Sequence, residues 1–250
     1  MPQVSIIILT KNRAALLSRA LQSVAKQSFK DFEIVVVNDG STDNTETILA
    51  SNTEISDKLH IIRHKDSKGI TLSRQEALEK CSAHLVALLD DDDEWLDKEK
   101  LAKQTQWFYT NPQGVLCGGS IAIGLGVKNN QVRRRPETDS KIRNLMLLKN
   151  SFFTSTVMFK KSKALEVGGF RFDGVDLAED YDLWLRLGKL GQMYNFQTVF
   201  TRYALPTYDK QKVRLFFIKQ RLLIAAHGQE YPMFTIAKII LALRIFWLQW

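Results

Sequence analysis

Leu85-Val86-Ala87-Leu88-Leu89-Asp90-Asp91-Asp92-Asp93-Glu94-Trp95 joins a wholly apolar run to four consecutive aspartates. The apolar half reads as a strand buried on both faces, as the strands of parallel sheets are. The carboxylates follow just past its C-terminal end, where open α/β sheets bind their ligands. Four adjacent negative charges repel, and a fold rarely keeps them without a cation; hard oxygen donors of this kind suit Mg²⁺ or Mn²⁺. Alone, the run also reads as a solvated acidic turn capping the next helix.

The flanking sequence favours the first reading. Val4 to Thr10 is another β-rich apolar run, and Arg13 to Gln27 sets Leu16, Leu17, Ala20, Leu21 and Val24 at helical spacing. Phe32 to Val37 is a further buried strand, ended by Asn38-Asp39-Gly40-Ser41. The helix expected after it carries Asp43 and Glu46 as a capping pair. Leu59 to Arg63 reads as a strand, Ile70 to Cys81 as a helix and His84 to Leu89 as the fourth strand. This alternation predicts an α/β fold with a doubly wound, mostly parallel sheet. Past Asn111-Pro112 the rhythm loosens. Strands are expected at Val115 to Ile123, Phe153 to Phe159 and Tyr194 to Tyr203, with a helix from Glu179 to Leu190 and a mobile loop from Gly124 to Thr138 that carries Arg133, Arg134 and Arg135.

Two cysteines, Cys81 and Cys117, are too few for a disulfide framework or a cysteine-based metal site, and the N-terminus shows no signal peptide. A reducing, cytoplasmic location is expected. The net charge of +8 is concentrated at one end, since the last fifty residues hold 8 Lys/Arg against 2 Asp/Glu, a surplus of six. A basic tail on a near-neutral domain points to an anionic surface as partner, not to a nucleic-acid-binding core.

Several motifs, in order, resemble those of glycosyltransferase family 2. They are Thr10-Lys11-Asn12-Arg13, Asn38-Asp39-Gly40-Ser41-Thr42-Asp43, Gly69 with Arg74, the acidic run with Trp95, Gly168-Gly169-Phe170, and Glu179-Asp180-Tyr181-Asp182-Leu183-Trp184-Leu185-Arg186. The likeness covers roughly residues 3 to 203 and implies the GT-A fold, with a donor half to about 112, an acceptor half from 113 to 205, and a helical extension from 206 to 250. It implies an inverting glycosyltransferase that moves a sugar from a nucleotide-diphosphate donor to a hydroxyl acceptor, with Mn²⁺ or Mg²⁺. Thr10, Lys11, Arg13, Asp39, Arg74, Asp90 and Asp91 would then bind the donor, Asp92 the metal, and Asp180 would be the base, with Glu179 and Asp182 behind it. The relatives often have an aromatic residue where Lys11 stands. They also carry a metal-binding histidine where Arg202-Tyr203-Ala204-Leu205-Pro206 has none, which leaves the metal to Asp92, diphosphate and water.

Physical chemistry supports these placements one by one. The Asp39 carboxylate can accept from a base N–H or ribose hydroxyls, and Gly40 permits the sharp turn after it. Arg74, near a helix N-terminus, can face a diphosphate with the helix amides behind it. Trp95 is expected to floor the acceptor site, and Trp184 and Leu187 to pack the core. In the tail, Val213 to Ala226 and Pro232 to Trp250 mix apolar residues with Arg214, Lys219, Arg221, Lys238 and Arg244. The second segment is borderline for spanning a membrane and better suited to lying in its interface, with Trp247 and Trp250 at that depth. A helix pair packed on the protein is the alternative. The expected setting is the inner face of the cell membrane and an acceptor such as a lipid-linked saccharide of surface polysaccharide synthesis. The rival functions are sugar-phosphate nucleotidylyltransfer and nucleotide-sugar binding without transfer.

Overall fold

The computed structural model describes residues 1–51, 53–124, 131–204 and 210–247. Its centre is β1 (Val4–Thr10), flanked by β2 (Phe32–Asp39) and β4 (Leu85–Leu88), with β3 (Leu59–His64) at the edge. All three pairings are parallel, and the register sets Thr10 opposite Asn38 and Asp39 opposite His64. The chain after β4 continues in line, since Leu89 N donates to Ile7 O at 3.1 Å. Thr10, Asp39, His64 and Asp90 therefore reach one rim of the sheet.

The pleat sorts a continuous apolar run onto two faces. Ile6 and Ile8 pack with Leu17, Leu21 and Val24 of α1 (Ala14–Ala25), and with Leu101 and Phe108 of the helix Lys100–Thr110. Ile7, Val35 and Val37 face the other way, toward Ala77 and Leu78 of the helix Ile70–Lys80. The sheet is wound on both sides, as expected. Between β2 and β3 lies α2 (Thr45–Ser51). Asp43 caps it through Thr45 N at 3.0 Å, but Glu46 does not reciprocate and instead takes Asn38 and Arg63. With α2 in place, the helices Ile70–Lys80 and Lys100–Thr110 become α3 and α4.

The second half continues the sheet with mixed polarity. The strands are β5 (Glu94–Trp95), β6 (Gly114–Ile123), β7 (Gln131–Arg133), β8 (Met158–Lys160) and β9 (Gln192–Tyr203), in the overall order β3-β2-β1-β4-β8-β6-β9-β5 with β7 on β6. β8 runs antiparallel to both β4 and β6, whereas β6 and β9 are parallel. Two sequence expectations change here. The strand expected over Phe153 to Phe159 is a 3-10 turn at Thr154–Thr156 and only then the short β8, because the turn's side chains are spent on local and site hydrogen bonds. The loop expected over Gly124 to Thr138 contains β7, paired to β6 through Ile121 and Arg133; residues 125–130 lie outside the described part.

Three further helices, α5 (Asp139–Met146), α6 (Lys161–Glu166) and α7 (Glu179–Leu187), cover the face shared with α3. Trp184, Leu187 and Tyr181 of α7 are fully buried, as expected for the first two. The tail forms α8 (Lys210–His227) and α9 (Phe234–Trp247). One face of this pair belongs to the same core through Leu223, Ile224, Tyr231, Ala237 and Leu241. His227 meets Asp182 at 3.0 Å, Lys219 pairs with Asp173, and Tyr231 donates to Leu185 O at 2.7 Å. The packing alternative thus holds for one face of the tail. Trp250 lies outside the described residues.

Candidate functional site

A cleft of about 560 Å³ opens at the sheet rim, lined by Thr10, Lys11, Arg13, Asp39, Arg74, Asp90, Asp91, Asp92 and Asp180 together with Ser67, Thr154, Asp176, Glu179 and Tyr203. Every residue singled out for donor or metal, and Asp180 and Glu179 of the three candidate bases, thus stands on one wall or another; Asp182 does not.

The wall formed by the ends of β1 and β2 is built from loops that clasp each other. Asn12, at φ 54, accepts from Thr42 N at 2.7 Å, and its own N–H donates to Ser41 Oγ. Asp43 accepts from Ala14 N at 3.1 Å. Gly40, at φ 75, turns so tightly that a β-carbon would press on Ser67 N at 3.1 Å. Both Asp39 oxygens are already engaged. Oδ1 takes Lys68 N at 2.8 Å, Ser73 Oγ at 3.1 Å and His64 Nδ1 at 2.7 Å, while Oδ2 takes Ser67 Oγ and Gly69 N. Burial opposes ionisation of Asp39, but these donors outweigh it and hold the carboxyl at about 2. Asp39 therefore fixes the 67–69 loop beside the cleft. His64, which was not singled out from the sequence, supports the site through Asp39. It could have been found from the parallel register, which sets it opposite Asp39.

Arg74 is buried and sits between two carboxylates, Glu179 and Asp90, the latter at 2.9 Å. It bonds the first half of the chain to the second. The α3 amides expected to face phosphate are also spoken for: Ile70 N and Thr71 N donate to Asp176 at 3.0 and 2.9 Å. Gly69, at φ 87, is needed there because a β-carbon would run into the Asp176 carboxylate. Asp176 lies 105 residues from Thr71 on a loop, and no sequence signal marks it.

The acidic run is split by its surroundings. Arg13 reaches Asp91 at 2.9 Å and Asp92 at 3.0 Å. Burial pushes the Asp91 carboxyl up to about 6 despite Arg13, and pushes Asp93 up to about 8 with the Asp90 charge adding. Asp90 is raised too, by burial first, with Arg74 opposing and Asp92 adding. Asp93 accepts from Ala204 N at 2.9 Å, but its other buried oxygen has no partner among the described residues. This surplus of carboxylate over cation fits a divalent ion. Among the described residues no three His, Cys, Asp or Glu side chains form a ready cage, so an ion held here would need donors from a ligand and water. Trp95 does not floor the acceptor site. It is buried, donates Nε1 to Ser155 O at 2.8 Å, and lies under the Lys100 ammonium at 4.0 Å.

On the wall formed by the start of α7, Asp180 accepts from Thr154 Oγ1 at 2.6 Å and from Tyr181 N at 2.6 Å. Glu179, lifted to about 7 by burial although Arg74 opposes, is committed to that arginine. Asp182 points into the interior, paired with Arg186 and His227, and is not part of the cleft. Asp180 is the α7 carboxylate free to meet a ligand. It follows Ala178, whose φ of 59 is a conformation that favours glycine.

The sequence model of the family described as "Glycosyl transferase family 2" matches residues 5–168. The putative teichuronic acid biosynthesis glycosyltransferase TuaG of Bacillus subtilis (strain 168) is 28% identical over 194 residues, 76% of this chain and 73% of that protein. The UDP-Glc:alpha-D-GlcNAc-diphosphoundecaprenol beta-1,3-glucosyltransferase WfgD of Escherichia coli is 30% identical over 187 residues, 74% of this chain and 70% of that one. In fold the chain is similar to S. aureus TarS in complex with UDP-GlcNAc, at a TM-score of 0.72 and 17% identity over 91% of this chain and 68% of that one. It is similar also to the mannosyltransferase PcManGT from Pyrobaculum calidifontis in complex with GDP-Man and Mn2+, at 0.69 and 19% over 98% and 69%.

Proposed function

Because this chain belongs to glycosyl transferase family 2 and has the GT-A fold, we propose that its cleft transfers a sugar, with inversion, from a nucleotide-diphosphate donor to the hydroxyl of a lipid-linked saccharide. The observation that carries this is the meeting of two separate carboxylate sets in one cleft, Asp90 to Asp92 on the donor wall and Asp180 on the acceptor wall. The nucleotide would lie against Thr10, Lys11 and the Asp39-ordered loop. Asp92, with Asp90 or Asp91 beside it, would hold Mn²⁺ or Mg²⁺. When bound, the ion supplies charge neutralisation for the departing diphosphate.

The chain's own residues do the rest. Arg13, half-exposed, is able to swing from Asp92 to the donor's phosphates. Arg74 acts one step back, holding Asp90 and Glu179 in place. Asp180 takes the proton of the attacking hydroxyl, and each of its oxygens keeps a lone pair beyond the bonds from Thr154 and Tyr181. A weak base suffices because the hydroxyl proton leaves late, when bonding to the anomeric carbon is advanced and the sugar is oxocarbenium-like.

The teichuronic acid biosynthesis in the name of TuaG supports a place in surface polysaccharide assembly, and the diphosphoundecaprenol-linked sugar in the name of WfgD supports a lipid-linked acceptor. Among the described residues no helix is long and apolar enough to cross a membrane, and the proposed association is peripheral, through the outer face of α8 and α9. The reading is tested with a panel of UDP-, GDP- and dTDP-sugars and Mn²⁺. One donor should raise the melting temperature and be hydrolysed, since a ligand of the native state stabilises it. A folded protein that neither binds nor cleaves any of them refutes the proposal.

A further inference from the structure

A cluster of cations lies beyond the acceptor wall with no ion-pair partner among the described residues. Arg135 stacks on Phe153, its guanidinium carbon 4.1 Å from the ring centroid, and its Nε has no partner among the described residues. Among the described residues Arg133 donates only to Gln131, at 2.8 Å. Arg244, reaching in from α9, donates to Leu148 O at 3.1 Å, beside Lys149. None of these four cations is in an ion pair among the described residues. The acids nearby are taken: Glu137 accepts from Tyr194, and Asp139 is held by Arg143 and by Met193 N.

Like charges gathered from three elements oppose folding unless an anion joins them. The repulsion is visible at Lys149, whose ammonium is depressed first by the Arg135 charge, then by burial and by Arg133 and Arg244. Burial likewise brings Arg135 down to about 10. The position is what gives the cluster meaning. Phe153 carries Arg135 on its ring, precedes Thr154, which holds Asp180, and lies 6.3 Å from the ring of Tyr203 in the cleft wall.

We propose that Arg133, Arg135, Lys149 and Arg244 form a second anion site, on the acceptor side of the cleft, that takes a phosphate or diphosphate group borne by the acceptor. This rests on the glycosyltransfer reading for its purpose but not for its existence. Guanidinium groups suit the task, since they bind phosphate oxygens in pairs and stay charged when partly buried. The donor's own diphosphate belongs to the opposite wall, with Arg13 and Asp92. The site would select acceptors by the charge next to the sugar and hold the saccharide end over Asp180.

Monomethyl diphosphate, which forms no micelles, is the probe. It is titrated calorimetrically in EDTA, so that no metal draws it to the donor wall, and inorganic phosphate at equal ionic strength shows which anion is preferred. Wild type and Asp92→Asn should bind it equally. The triple variant Arg133→Gln, Arg135→Gln, Lys149→Gln should bind about tenfold more weakly or worse, the usual weight of charge-assisted hydrogen bonds. Because Arg135 is partly buried, the exposed double variant Arg133→Gln, Lys149→Gln is the safeguard, and it should lose several-fold. Unchanged affinity in both folded variants overturns the proposal. So does a result in which the variants lose only flotation with phosphatidylglycerol vesicles, which would make the cluster a membrane face. Donor hydrolysis with Mn²⁺ separates the two readings. If wild type fails to hydrolyse any donor yet binds the probe, glycosyltransfer falls and the anion site stands. Hydrolysis without probe binding sinks the anion site alone.

Discussion

Asp180 and Thr154 make the sharpest test at the scale of single residues. Asp180→Asn is nearly isosteric and its amide oxygen can still accept from Tyr181 N, so donor binding and melting temperature should hold while turnover falls by roughly 10² to 10⁴, the worth of a general base. Steady-state kinetics against acceptor would show it, and near-normal turnover would remove Asp180 from the mechanism. Thr154→Val deletes the hydroxyl bonded to Asp180 at 2.6 Å, whereas Thr154→Ser keeps it. Valine should lower kcat with little change in donor KM, and serine should restore most of it. Asp92→Ala should abolish Mn²⁺-dependent binding of nucleoside diphosphate, read by calorimetry with and without metal, and leave the fold intact. The principal residues were legible because they terminate regular elements: Asp39 ends β2, Asp90 follows β4 and Asp180 opens α7. Their partners were not. Asp176 and Thr154 come from turns whose place depends on tertiary contact, and the state of Arg74 is set by Glu179, more than a hundred residues away.

Among elements, α4 holds an unusual buried cation. Lys100 is wholly inaccessible, donates to Gln104 at 2.8 Å, and faces the Trp95 ring. Burial brings its ammonium from the ordinary 10.5 down to about 7, although the indole face favours the charge. The unfolded chain then keeps a proton up to about 10.5 that the folded one releases near 7, so stability should rise with pH across that window. Lys100→Met should flatten the rise, as urea denaturation at pH 7 and pH 9.5 would report. The same variant would strain the neighbouring turn, since Gln104 also holds Thr156 O at 2.9 Å and Trp95 holds Ser155 O. Apolar runs made β1, β2 and β4 readable, because strands buried on both faces have little else to encode. At Phe153 to Phe159 the β-rich composition misled: its Ser and Thr hydroxyls serve Asp90, Asp180 and Gly119, and those long-range bonds bend the chain into a turn.

For the molecule as a whole, the open question is what the outer face of the tail meets. Leu222, Ile239 and Leu243 are 60%, 57% and 55% exposed, on helices whose opposite faces are in the core. Removing the tail would therefore tear the core open, and surface substitution is the cleaner experiment. Leu222→Ser with Ile239→Ser and Leu243→Ser should leave the melting temperature nearly unchanged but prevent flotation with phosphatidylglycerol vesicles. High salt should only weaken wild-type flotation, because apolar insertion is unscreened and each basic residue near an anionic surface adds about 1 kcal/mol. Wild-type protein that stays at the bottom of the gradient would refute membrane contact. The connection between cleft and tail gives that contact a further meaning. Ala204 lines the cleft and Lys210 opens α8. Because the tail's other face is part of the core that carries the cleft, lipid contact would hold the cleft at a fixed height above the surface, and the enzyme becomes a gauge. It would elongate saccharides still short enough to stay near their anchor and lose those already grown beyond its reach.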